Sequence, residues 1–117
     1  PGTAIDVIGR GVRLLVDWAR FDDSEIDTEI ECPHVHVPAI AVADMLDDIF
    51  APIERDGAGM LEIQLRLQKA FAALVATDPD AFSTDARRHS GSALQRAELG
   101  LTLEEEKQAV RALAGMI

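Results

Sequence analysis

A chain of 117 residues is sized for one domain, and a hydrophobic content of 48% excludes wholesale disorder. Its 21 acidic against 11 basic residues leave a net charge of -10, a field that repels nucleic acid and anionic lipid headgroups and keeps the domain soluble. Aromatic residues make up only 4%, and alanine is abundant. That composition favours closely packed helices over a sheet sandwich, which needs β-branched and aromatic side chains.

The expected fold is therefore mainly α: about five helices in a small bundle, with one extended, strand-like segment near residues 25–38, all in a single domain over 1–117. Cys32 is the only cysteine, so an intrachain disulfide is excluded. No apolar run approaches the roughly 20 residues of a membrane span; the longest is Ala70 to Ala76. No signal peptide is expected within these residues. Pro1-Gly2 in place of an initiating methionine predicts a fragment of a longer protein, so the missing span says little about that parent.

The first helix is predicted from Thr3 to Arg20, with Ile5, Ile8, Val12, Leu15 and Ala19 on one face. Thr3 reads as its N-cap, with Asp6 as the reciprocal acid. Gly9 and Gly11 weaken a helix interior; close approach by another helix accounts for them, the alternative being that Gly11 marks a kink. From Asp22 to Pro38 two readings stay open. Ile26, Thr28, Ile30 and Cys32 alternate with acids as in a strand, whereas Ser24 with Asp27 reads as a helix-capping box. His34 to Val37, between Pro33 and Pro38, is expected to be extended and, if a strand, at a sheet edge. A lone strand must hug the helices, pair with a second copy, or pair with parent sequence.

Ala39 to Asp56 is the second helical region, its stripe being Val42, Met45, Leu46, Ile49 and Ile53. Pro52 should kink or restart it. Asp56-Gly57-Ala58-Gly59 is a stop and turn. Met60 to Thr77 follows, with Ile63, Leu67, Phe71 and Leu74 in line and Leu61 and Leu65 broadening the face, which places this helix at the centre. Asp78-Pro79 opens a segment whose helix is expected over Phe82 to Leu99, weakened at Ser90-Gly91-Ser92 and capped by Gly100. Thr102 with Glu105 forms a capping box for the last helix, where Leu103, Val110 and Leu113 face inwards.

Three groups of residues carry candidate chemistry. Cys32, His34 and His36 alternate, so an extended chain points all three to one side, about 6.6–6.8 Å between neighbours. Thiolate and imidazole are good zinc ligands, and a carboxylate or His89 could complete a tetrahedron. Asp44, Asp47 and Asp48 share one side of a helix, where like charges repel; a solvated face, a cation or a basic partner would each answer that. Ser83, Ser90, Ser92 and His89 are the polar groups an enzyme would use. Yet His89 and Ser90 point about 100° apart on a helix, Asp85 and His89 read as a surface pair, and no nucleophile elbow, phosphate loop or zinc-protease motif is present. Arg87-Arg88-His89 and Arg66 with Lys69 read as solvated or interhelical pairs.

Gly9-Arg10-Gly11-Val12-Arg13-Leu14-Leu15, Pro33-His34-Val35-His36-Val37-Pro38-Ala39, Asp56-Gly57-Ala58-Gly59, Arg66-Leu67-Gln68-Lys69-Ala70 and Ala93-Leu94-Gln95-Arg96-Ala97-Glu98 together resemble the C-terminal, soluble part of a bacterial family of predicted integral-membrane proteins of unknown function. The resemblance covers about Ile5 to Leu113. It implies membrane attachment through N-terminal helices of a parent protein and supplies no catalytic residues. The expected role is a non-enzymatic assembly or interaction domain of a membrane-anchored protein, whose partner is a second copy or the rest of the parent chain and not nucleic acid. The alternative is a metal-binding or metal-sensing domain built on Cys32, His34 and His36. No cofactor is expected, zinc in that alternative aside.

Overall fold

In the computed structural model, residues 2–20 and 41–117 are described. They form α1 (Gly2–Ala19), α2 (Val42–Asp56), α3 (Leu61–Thr77), α4 (Pro79–Gly100) and α5 (Glu104–Ala114). No strand occurs among the described residues, and the extended segment expected near 25–38 lies outside them.

The breadth of the apolar face on α3 decides the architecture. This helix packs against each of the other four. Ile63, Leu67, Phe71 and Leu74 enter the main core with Ile8 and Leu15 of α1, Leu46 and Phe50 of α2, and Phe82 and Ala86 of α4. Leu61 and Leu65 turn the other way and pack on a second, smaller core of Ala97, Leu101 and Val110 between α4 and α5. A helix apolar on so wide a front can be satisfied only from two sides, and α3 is the wall shared by both cores. Within the main core the Phe50 and Phe71 rings meet edge to face at 5.1 Å.

Several helix ends differ from the sequence reading. The first helix already includes Gly2, so Thr3 lies inside its first turn and is no N-cap. Helix α2 starts at Val42 after an extended Ala41 and runs on through Pro52 without restarting. Helix α4 starts at Pro79, not Phe82, because Asp78 caps it: the Asp78 carboxylate accepts from the Ala81 backbone N–H at 3.1 Å, with proline at the first helical position. The same helix passes through Ser90-Gly91-Ser92 unbroken.

Gly100 is the last residue of α4 and not its cap. Glycine is required there for proximity: a Cβ would lie 2.6 Å from the Ala58 carbonyl carbon, so the α2–α3 turn rests directly on the α4 backbone. Gly11 works the same way in α1, where a Cβ would lie 2.6 Å from Ile49 Cγ2; Gly9 faces open space. At α5 the expected capping box does not form. Leu103, not Thr102, is the N-cap residue, extended at φ -89° and ψ 133°, with no side-chain cap bond. Leu103 is consequently 58% exposed, and Leu101 fills the core position instead. Glu104, Glu105 and Glu106 occupy the first turn, where the helix dipole favours acids.

Candidate functional site

The apolar stripe of α2 carries a glutamate. Glu54 lies one turn beyond Phe50 and two beyond Leu46, and all three are buried. The inward line of α4, Phe82-Ala86-His89-Ala93-Ala97, likewise carries a histidine. A polar group at a core position costs free energy unless it finds a partner, and these two find each other. His89 Nδ1 lies 2.5 Å from Glu54 Oε1, and His89 Nε2 lies 2.9 Å from Asp47 Oδ1. Asp47 precedes Glu54 by two helical turns, so one face of α2 offers a carboxylate to each edge of the ring. Phe50 and Phe71 flank the imidazole, with ring centres 6.3 and 5.9 Å away.

Hydrogen-bond arithmetic restricts the protonation of this group. Two carboxylate oxygens ask for two N–H donors, and a neutral imidazole has one. Either the ring is imidazolium between two carboxylates, or one carboxyl carries a proton and donates it to the ring. In both states one proton sits in the short contact between Glu54 and His89. Neither ring nitrogen is left to serve a substrate or a metal.

Asp47 extends the cluster to the surface. Arg88 Nη2 donates to Asp47 Oδ1 at 2.9 Å and lies 3.6 Å from Asp85 Oδ1. The Arg88 hydrogen bond, seconded by that of His89, holds the Asp47 carboxyl below the usual carboxylate range against the opposing effect of desolvation. Asp47 reciprocally raises the Arg88 guanidinium. The polar bolt between α2 and α4 thus grades from a buried Glu54–His89 contact to a half-exposed Asp47–Arg88 pair.

One turn of α4 links to α3 as well. Ser90 Oγ donates to Gln68 Oε1 at 2.6 Å, and Gln68 Nε2 donates to the Ser90 carbonyl at 3.1 Å. A neighbouring glutamine, Gln64, is also fully buried and donates to the Gly57 carbonyl at 2.9 Å. Between α4 and α5, Arg111 grips both carboxylate oxygens of Glu98 and one of Glu104. That grip lowers the Glu98 carboxyl, while the Arg111 guanidinium is raised.

The candidates read from sequence fare unequally. Cys32, His34 and His36 lie outside the described residues. Among the described residues no three His, Cys, Asp or Glu side chains are grouped to hold a metal ion. His89 was a possible fourth ligand, but both its nitrogens are engaged by carboxylates. The aspartate trio is divided: Asp44 and Asp48 are exposed, while Asp47 turns to Arg88 and His89. Asp85 does not pair with His89 on the surface; it approaches Arg88, because His89 faces inwards. His89 and Ser90 point apart as expected, each to a different helix. Glu54, Gln64 and Gln68 were missed, although the position of Glu54 in register with Leu46 and Phe50 was a usable signal.

The family model described as a predicted membrane protein (DUF2254) matches residues 1–73. No curated protein and no solved structure matches the chain.

Proposed function

The chain belongs to this family of predicted membrane proteins, and from that premise we propose that it is a non-enzymatic assembly or interaction domain of a membrane-anchored protein. No helix among the described residues is long and apolar enough to cross a membrane. Attachment would then rest on parent sequence other than these helices. The observation that carries the reading is the uneven use of α1, whose Val7, Leu14 and Trp18 remain exposed beside a buried line of Ile8, Gly11 and Leu15. Apolar side chains aligned on one exposed flank suit a contact surface. The polar groups of the interior support the same reading from another direction. His89, Glu54, Ser90 and Gln68 are consumed in holding α2, α3 and α4 together, which is a scaffold's use of such residues.

Differentially tagged copies of the membrane-anchored parent, expressed in one cell and solubilised in mild detergent, test this role. Co-purification of the two tags is expected, with loss of at least half of it when this domain is deleted and membrane insertion is retained. Undiminished co-purification without the domain would overturn the proposal.

A further inference from the structure

Helix α1 has three faces. Ile8, Gly11 and Leu15 are buried against α2 and α3. On the flank of that line, Val7 is 43%, Leu14 61% and Trp18 39% exposed. Their i, i+7, i+11 spacing places them within about 40° of one another around the helix, so they form a stripe along roughly 16 Å of its length. On the outer edge of the stripe stand Arg10 and Asp17, both exposed and opposite in charge, seven residues apart.

We propose that this flank docks a second copy of the chain, α1 running antiparallel to α1 across a twofold axis. The inference rests on the assembly role above and names its surface and partner. Charge order selects the occupant. In an antiparallel pair centred between Gly11 and Leu14, Val7 falls opposite Trp18 of the second copy. Arg10 then comes within about 3 Å of axial register with Asp17 of the second copy, and symmetry repeats the pair on the other side. A parallel pair would put the Arg10 and Asp17 edges of the two copies on opposite sides of the seam, where these charges do not meet. An anionic bilayer fits worse, because the chain carries a net charge of -10. The stripe is well short of the roughly 800 Å² per partner of a stable interface. The pairing is therefore weak in free solution and gains strength where a shared membrane raises the effective concentration.

Sedimentation velocity on the chain from about 10 μM to about 1 mM, a range suited to weak complexes, reads the equilibrium directly. Trp18 is the only tryptophan, so its emission reports burial of the stripe. Dimer should form at the upper concentrations with a blue shift of Trp18. Arg10→Asp and Asp17→Arg should each weaken it about tenfold or more, and an equimolar mixture of the two should recover it as a heterodimer. Leu14→Glu, at an exposed site, should abolish pairing with the melting temperature unchanged. Dimerisation that ignores both charge reversals overturns this surface and leaves the assembly role standing. A monomer throughout, with or without Leu14-dependent binding to phosphatidylserine vesicles, overturns the second copy as occupant. The assembly role itself falls only if the parent also keeps its self-association without the domain.

Discussion

Replacing Glu54 by leucine removes one partner from a buried polar contact while leaving the volume of the site nearly unchanged. Glu54 is 1% exposed and His89 3%, and the Phe50 and Phe71 rings flank the imidazole, so water is badly placed to substitute. His89 Nδ1 would then face hydrocarbon. Losing the acceptor of a neutral buried N–H costs about 1–3 kcal/mol, and stranding one member of a buried ion pair costs about 3–5 kcal/mol. Because Asp47 still holds the other ring nitrogen at 2.9 Å, the expected loss is about 3 kcal/mol, within the range where the two states overlap. Against a total stability of about 5–15 kcal/mol the variant still folds. With a urea slope of about 2 kcal/mol per molar, the midpoint of unfolding followed by helical circular dichroism should fall by about 1.5 M. Glu54→Gln keeps an oxygen acceptor and should lose about 1 kcal/mol. The double variant Glu54→Leu, His89→Phe removes both polar groups and should recover most of the single loss, since buried pairs replaced by apolar side chains are often neutral. A single-variant loss under about 1 kcal/mol would refute the reasoning. So would a double variant less stable than Glu54→Leu.

The two kinds of helix glycine should respond in opposite directions to alanine. Gly100→Ala would drive a Cβ into the Ala58 backbone, which cannot rotate away, and should cost about 1–3 kcal/mol; Gly91→Ala meets nothing within 4 Å and should stabilise by about 0.5–1 kcal/mol, both read from urea midpoints. The carboxyls of Asp47 and Glu98 are lowered in the folded state, so their contribution is complete above the ordinary carboxylate pKa of about 4 and disappears as pH falls through the lowered folded values. Stability measured from pH 7 to pH 3 should fall on that acid limb, and Arg88→Gln with Arg111→Gln should flatten it; an unchanged slope would contradict the assignment. Ser90→Ala leaves Gln68 Oε1 buried without its donor and should lower stability by about 1–2 kcal/mol in the same assay.

Much of the architecture could be read from local pattern. The width of the apolar face on the third helix, with Leu61 and Leu65 beside Ile63, Leu67 and Phe71, announced a central element, and α3 does contact every other helix. Close approach as the reason for both helix-interior glycines of α1 holds for Gly11, which meets Ile49, and fails for Gly9, which faces open space. Cap assignments were less secure. Thr102 with Glu105 matched a capping motif, yet Leu103 ends the turn, because Leu101 is drawn into the small core with Ala97 and Val110. Burial of one leucine outweighed a surface hydrogen bond worth about 1 kcal/mol.

The periodicity of the chain by itself determined the order of five helices and the apolar face of the first three, because helical spacing is a local property of neighbouring residues. The tertiary structure decided what became of the polar residues on those faces. Glu54 and His89 stand 35 positions apart, and nothing within either helix indicates that they meet; only the packing of α2 on α4 removes both from water and leaves each as the other's partner. The same packing withdraws Asp47 from the aspartate trio and turns His89 away from Asp85. A side chain's helix is written in its near neighbours, but its partner is chosen by the long-range fit of the cores.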